Sequence, residues 1–418
     1  MNNSYELNIN KTNHKSLVAK FESGVDTHIH TSSSFDGGLS FEEIMNEIKD
    51  RKLDYLAITD HNNIDVPAKL FRQAEAKSNQ LFVQIGNTKI VTGTEVTCYC
   101  KVSNNKFMKL HMLCYGFDPS RETRFAQIVR AKNYDAWRSS IHPFVHLANK
   151  RSIFRVDNRQ IVSYMKYLKL NSASYEGYIS KANVIDYFEH VRKIEPEVTS
   201  AYLLDYKDRQ EEIKLDVQDV IDTVHEAGGY CIMAHPIKSM QKFLPKISEP
   251  NKRDFFTKVT NDLLSKGMDG VEFARGNSND TRWFNKKYSK VFLTSTGTDT
   301  HDLQEKQFKT IGKYFYSMPT PSFGKVMNEL AKARSENKQT PRQAFNEYHR
   351  LKRIEKEKTS KKQIEQEIKD MPLDPNPELI SPTSINSKKL FSYADVLEYI
   401  GEIEKKIENK KIYPLLQL

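Results

Sequence analysis

Long apolar runs, cysteines and a leader-like start are what this sequence has least of, and each shortage excludes something. The longest apolar stretches, from Val91 onward and from Tyr230 to Ala234, are too short to cross a bilayer, so no spanning segment is predicted. The opening MNNSYELNINKTNHK is polar throughout and lacks the basic start and apolar core of a secretory signal, which predicts a cytoplasmic protein. Only four cysteines occur in 418 residues. Cys98 and Cys100, two apart on a predicted strand, share a face and do not readily pair with each other. Cys114 and Cys231 sit in other apolar strands, and all four read as reduced core thiols. No internal repeat is evident.

What is present suits a sizeable folded enzyme. The chain is 38% apolar and 28% charged, and it is long enough for one large α/β domain plus an appendage. Lys and Arg number 64 against 54 Asp and Glu, a net charge of +10. That excess attracts polyanions, yet it is spread along the chain and tilts the substrate expectation without marking a nucleic-acid groove.

From Val25 to about Phe117 short apolar runs alternate with amphipathic stretches: VDTHIH, LSFEEIMNEIKDRK, LDYLAITDH, KLFRQAEAKSN, IVTGTEVTCYC, KLHMLCYGF. This βαβα punctuation predicts a parallel sheet or barrel. Ser40 before Phe41-Glu42-Glu43 predicts a helix N-cap, with Phe41, Ile44, Met45 and Ile48 on one face. Residues 118–216 change to long polar-amphipathic stretches and read as a helical insertion. The earlier rhythm resumes with VQDVIDTVHEAGG, a helix ended by Gly228-Gly229, then YCIMAHP, a helix near Lys252 to Lys266, DGVEFA, VFLTSTGTDTH and IGKYFYS, about seven strands in all. After Ser317 come a helix from about Ser322 to Glu336, a charged stretch from Pro341 to Asp370 read as a solvated helix or arm, and a last helix FSYADVLEYIGEIEKKIE. The predicted division is an N-terminal tail 1–24, a catalytic domain 25–318 and a C-terminal helical, charged extension 319–418 that offers a surface for a protein partner.

Chemistry concentrates at the predicted strand ends. His28 and His30, two apart, project to one side and can reach one metal ion. A lone pair of this kind is weak evidence. Asp60-His61 ends the second strand, Glu95 the third, His111 opens a fourth apolar run, His235 ends a fifth before Pro236, and Asp299-Thr300-His301 ends the last. Asp36, in the loop SSSFDGG beside Gly37-Gly38, adds a ninth ligand-type side chain. Each histidine singly is an ordinary structural residue more often than a ligand, but six of twelve at strand termini beside acidic or small residues point to a metal site. His14, His142, His146, His190, His225 and His349 lie in helical or tail sequence and read as ordinary, although His142 and His146 are one helical turn apart. Asp60 points away from its neighbouring ligand and suits either orientation of an imidazole or strand capping. Lys238, Arg275 and Asn277 suit either clamping of a substrate phosphate or a surface salt bridge, and Glu272 suits either packing or substrate contact.

Taken together, DTHIHTSSSFDG, AITDH, GTEV, HMLCYGF, IMAHP and GTDTH resemble the motifs of the polymerase and histidinol phosphatase (PHP) family, from about Val25 to Ser317. The order of elements is most similar to the branch that includes nucleoside bisphosphate phosphatases and 5′-to-3′ exoribonucleases. The resemblance implies a distorted (β/α)7 TIM-like barrel with three divalent ions, manganese, zinc or iron, at the carboxyl ends of its strands. It implies one ion on His28, His30, Glu95 and Asp299, a second on Glu95, His111 and His235, and a third on Asp36, His61 and His301. It also implies metal-dependent hydrolysis of a phosphoester of nucleotides or nucleic-acid 5′ ends, with Asp36, His61 and Glu95 catalytic and a hydroxide bridging two ions as nucleophile.

Three other readings are compatible with parts of this pattern. They are a small-metabolite phosphatase acting on substrates such as histidinol phosphate, a non-catalytic nucleic-acid-binding module, and a metal amidohydrolase. The last also opens with HxH but calls for a bridging lysine, where this sequence has Glu95.

Overall fold

A computed structural model of the chain describes residues 24–31, 33–34, 37, 39–49, 53–74, 80–103, 106–119, 123–140, 193, 214–244, 252–273, 278–301 and 323–370, with side chains except at 134–140 and 361–370. Most of the expected insertion, the run IGKYFYS and the expected last helix lie outside the described residues. Along the chain, β1 (Gly24–Ile29), α1 (Phe41–Ile48), β2 (Leu53–Ile58) and α2 (Asp65–Gln73) lead into two hairpins, β3 (Phe82–Ile85) with β4 (Thr88–Val91) and β5 (Gly93–Ser103) with β6 (Lys106–Tyr115). Then follow α3 (Arg124–Ser140), α4 (Val217–Glu226), β7 (Tyr230–Met233), α5 (Pro236–Phe243), α6 (Lys252–Ser265), β8 (Gly270–Glu272), α7 (Asn279–Lys287), β9 (Leu293–Ser295), α8 (Phe323–Ser335) and α9 (Pro341–Asp370). No helix among the described residues is long and apolar enough to cross a membrane.

Local sequence accounts for the boundaries. Ser40 caps α1 reciprocally: its hydroxyl accepts from the Glu43 amide at 3.1 Å, and the Glu43 carboxylate accepts from the Ser40 amide at 2.7 Å. Ile44 and Ile48 are thereby turned into the core. The Asp216 carboxylate accepts the Gln218 amide at the start of α4, and Gly228, at φ 75°, carries the chain out of that helix where a side chain would be strained.

The fold is mixed α/β, but the ladders differ from the seven parallel strands expected. Among the described residues nine strands form two sheets, in the orders β1-β2-β4-β3 and β5-β6-β7-β8-β9, and no closed barrel is formed by these ladders. Parallel pairing holds for β1 with β2, β2 with β4, β7 with β8 and β8 with β9, whereas β3–β4, β5–β6 and β6–β7 are antiparallel. Connection length is the reason for the first two of these. Two residues separate β3 from β4 and two separate β5 from β6, too few for the crossover that a parallel pair requires. Thr92 also interrupts the run IVTGTEVTCYC, so that one expected strand becomes β4 and β5 in different sheets. The sheets touch through single parallel bridges, His61 with Glu95 and Ile29 with Thr300.

Strand alternation sorts the core. Tyr55 and Ala57 of β2, Leu113 and Tyr115 of β6, Tyr230 and Ile232 of β7 and Leu293 of β9 share one interior with Phe323, Val326, Met327 and Leu330 of α8. The intervening residues, such as Met112, Cys114, Cys231 and Met233, face α3, α4 and α6 instead. All four cysteines are free and buried. His111 has the parity of Leu113 and Tyr115, so it lines the same interior two residues further from α8.

Candidate metal centre

Glu95 stands near the start of β5, rather than ending a strand as expected, and it is fully buried. Its Oε2 lies 3.2 Å from His28 Nε2, 3.3 Å from His30 Nε2 and 3.1 Å from His61 Nδ1. Its Oε1 lies 2.8 Å from His111 Nδ1 and 2.9 Å from His235 Nε2. One carboxylate therefore gathers five imidazoles from four parts of the chain. Asp299 reaches two of the same nitrogens, with Oδ1 at 3.4 Å from His28 Nε2 and 3.5 Å from His30 Nε2, and lies 3.8 Å from His301 Nε2. The rings of His30 and His301 stack at 4.3 Å, and those of His30 and His61 at 4.6 Å.

The backbone is bent to achieve this. His235 (φ 27°), Asp299 (φ 51°) and Asn62 (φ 49°) adopt left-handed conformations beside the cluster. Asn62 is held by its own side chain, which accepts the Thr97 amide at 2.8 Å, and its amide donates to the Glu95 carbonyl at 2.8 Å. Gly297 is required for a different reason. A Cβ there would stand 2.3 Å from the Cβ of His28, so only glycine lets the segment after β9 pass β1 and deliver Asp299 and His301.

Three groups of side chains each offer ligand atoms within 4.8 Å of one another: His28, His30 and Asp299; His61, Glu95 and His111; His30, His61 and His301. The donor set fits cations. The Glu272 carboxylate sits 2.9 Å from His28 Nδ1, which must therefore carry the proton it donates, and this leaves Nε2 facing two carboxylates. Such a contact needs positive charge, either a second proton or a metal. His30 Nε2 is buried and makes no hydrogen bond, although both carboxylates lie beside it.

The titration behaviour expresses the same potential. Burial would raise the pKa of Glu95, but the charges of His61, His28 and His111 hold it well below the carboxylate range, and His28 and His30 outweigh burial at Asp299 in the same direction. At His28 burial opposes protonation, yet Glu272, Glu95 and Asp299 prevail and lift it well above an ordinary imidazole. Burial is likewise outweighed at His30, which Asp299 and Glu95 push up to about 10. At His111 burial wins over Glu95 and takes the ring down to about 4.

Of the nine residues singled out as ligands, eight converge, and Asp36 lies outside the described residues. Lys238 is the part of the proposed phosphate clamp that is described; its Nζ is 3.9 Å from Asp299 Oδ2 and its side chain 61% exposed. Arg275 and Asn277 lie outside the described residues, as do His142 and His146. Asp60 does not orient an imidazole through a hydrogen bond. Its Oδ1 accepts the Thr31 amide at 2.6 Å and its Oδ2 the Thr31 hydroxyl at 2.7 Å, strapping the loop after His30 to the end of β2. Ser34 and Ser239 had no assigned role. Each is four residues beyond a ligand-type histidine, and their hydroxyls lie 3.4 Å from His30 Nδ1 and 3.0 Å from His235 Nδ1.

A second group with metal-ligand residue types, His225, Cys231 and Asp269, lies at the other end of β7 and β8. Here Asp269 accepts from His225 Nε2 (2.8 Å), the Cys231 amide (2.9 Å), Arg342 Nε (2.8 Å) and Asn346 Nδ2 (3.1 Å). Burial pushes the Cys231 thiol well above its ordinary pKa. This cluster docks α9.

A family model described as the PHP domain matches residues 26–235, a span that contains His28, His30, His61, Glu95, His111 and His235. The 5′-3′ exoribonuclease of Haemophilus influenzae is 23% identical over 282 residues, which make up 66% of this chain and 89% of that protein. An amidohydrolase from Chromobacterium violaceum, solved with bound sulfate and no metal, is 19% identical with a TM-score of 0.48, covering 74% of this chain and 96% of that one.

Proposed function

The chain belongs to the PHP family, and from that premise we propose that it is a metal-dependent hydrolase of phosphoesters whose substrates are nucleotides or the 5′ ends of nucleic acids. The observation that carries this reading is the convergence of His28, His30, His61, His111, His235, Asp299 and His301 around the buried Glu95. The ligand set is read as His28, His30, Glu95 and Asp299 for one ion, Glu95, His111 and His235 for a second, and Asp36, His61 and His301 for a third. Manganese, zinc and iron all suit this mixture of imidazole and carboxylate. The shared interior lined by alternate residues of β2, β6, β7 and β9 supports reading the strands as the wall of a distorted barrel, with α8 at one end and the metal centre at the other.

Divalent ions bound there supply Lewis acidity and a water nucleophile ionised near pH 7. The chain's own groups do the rest. Glu95 holds five rings in mutual register, the left-handed turns at His235 and Asp299 fix their approach, and Glu272 sets the proton on His28 Nδ1 so that Nε2 presents a lone pair. Lys238 places a mobile positive charge beside Asp299, where it can meet a substrate phosphate. Similarity to an exoribonuclease and the net charge of +10 support a nucleotide or nucleic-acid substrate over a small metabolite.

The test is hydrolysis of 5′-phosphorylated RNA, 5′-phosphorylated DNA, nucleoside bisphosphates and small phosphate esters such as histidinol phosphate, each with manganese, using His61→Ala as control. Release of nucleotides or phosphate from the first three classes, abolished in His61→Ala, is expected. Preference for the small esters overturns the substrate assignment, and activity unchanged in His61→Ala overturns the site.

A further inference from the structure

Glu272 ends β8, is almost fully buried, and uses both carboxylate oxygens on residues assigned to two different ions. Oε1 is 2.9 Å from His28 Nδ1, and Oε2 accepts the backbone amide of His235 at 2.6 Å. His235 is the less ordinary of these partners. A β-carbon residue at φ 27° is held in a sparsely populated conformation, and the hydrogen bond its backbone N–H donates to Glu272 is one restraint that keeps it there. Ser239 takes the other side of the His235 ring, leaving Nε2 directed at Glu95 Oε1, 2.9 Å away. The same carboxylate thus sets the tautomer of His28 and the backbone pose of His235.

We infer that Glu272 is a positioning residue that couples the first and second metal positions, so that both depend on one side chain that ligates neither. The inference rests on the metal-centre reading above. It carries a specific chemical consequence. Glutamine in place of Glu272 keeps the size but offers one acceptor and one donor. If its oxygen serves the His235 amide, its NH2 faces His28 Nδ1, which must then accept, and the proton moves to Nε2 and removes the lone pair directed at Glu95 and Asp299. If the amide is reversed, its NH2 confronts the His235 N–H and the strained turn loses its acceptor. Either orientation disables one ligand. Aspartate keeps the charge but is one methylene shorter, so it cannot span the same two partners.

Manganese affinity, measured by chelator competition, and bound metal per chain, measured by atomic emission, read this without relying on turnover. The full chain is compared with Glu272→Gln, Glu272→Asp and Asp269→Asn, each also melted with and without manganese. Glu272→Gln is expected to bind manganese about 10–100-fold more weakly, to lose occupancy, and to melt near the wild type when both are metal-free. Glu272→Asp is expected to lie between the two. Asp269→Asn, at the other end of the same strand, is expected to melt lower and bind manganese as tightly as the wild type. Wild-type affinity and stoichiometry in Glu272→Gln overturn the inference. Should that variant not fold, wild-type affinity in Glu272→Asp overturns it equally. A wild-type chain that binds no manganese, zinc or iron refutes the metal-centre reading itself, an outcome distinct from either.

Discussion

Asp269 and Glu272 bracket the three-residue strand β8, each buried and each in contact with a histidine, yet the two ends of the strand do different things. Around Asp269 the partners are donors that arrive with their own protons: the Arg342 guanidinium, the Cys231 amide, the Asn346 amide and the His225 ring. Four donors converge on the one carboxylate, so Asp269 is satisfied without any added charge. At the Glu272 end, the single oxygen Glu95 Oε2 faces three imidazole nitrogens, and His30 Nε2 is buried with no hydrogen bond. Added protons or cations would satisfy that end, and the metal-centre reading assigns cations. Histidines and carboxylates crowded together do not by themselves mark a metal site; an excess of lone pairs over protons does.

Removing Glu95 is the strongest way to break this contrast. Glu95→Gln is expected to lower hydrolysis by at least about 10²–10³-fold, the range for losing one preorganised charge at the transition state, and to empty more than one metal position. Rate and metal content measured on the same preparation check it. Retained metal with retained rate would mean that the five rings do not depend on their shared carboxylate.

Asp269→Asn attacks the balanced end. Breaking a buried charge pair costs about 3–5 kcal/mol; Arg342 keeps 18% of its side chain exposed, so the expected loss is nearer about 3 kcal/mol, read by denaturant unfolding. The pH dependence has a definite sign. Burial would raise the Asp269 pKa, but His225 and Arg342 hold it below the ordinary 3.8. A depressed carboxylate contributes stability that is complete above the unfolded value and disappears as pH falls through the folded one. The melting-temperature gap between the wild type and Asp269→Asn is therefore constant above about pH 5 and shrinks below 3.8. A gap that widens on acidification would contradict this account of the latch.

The smallest expected effect belongs to Lys238. With its side chain 61% exposed, the charge is screened by solvent, so Lys238→Ala should raise KM by no more than about fivefold, and less at high salt. Steady-state kinetics at two salt concentrations check it. A large fall in kcat instead would mean that Lys238 acts on the reacting phosphate itself.

Much of the site was legible along the chain. His28 and His30 two apart, AITDH, GTEV, IMAHP and GTDTH announce ligand types, though Glu95 stands near the start of its strand instead of ending one, and eight of the nine named residues do meet. The capping box at Ser40 and the helix end at Gly228 were equally readable, since each depends on residues a few positions apart. Strand direction was harder. The hairpins β3–β4 and β5–β6 hid inside apolar runs that hydrophobic periodicity cannot divide, and periodicity says nothing about which way a neighbouring strand runs. Hydropathy also reads the charged stretch from Pro341 as solvated. It cannot register that Arg342 and Asn346 reach a buried carboxylate, because that attachment is polar.

By itself the amino-acid order determined the chemical inventory of this protein: which side chains with lone pairs it has, and that they recur where strands turn. Only the tertiary structure decided their ranks. Glu95 became the hub, Glu272 the brace behind one ring and one backbone amide, Asp60 a strap for a loop and Asp269 a latch for α9. A carboxylate's role is set by the partners that surround it, and those come from strands and helices far apart in the chain.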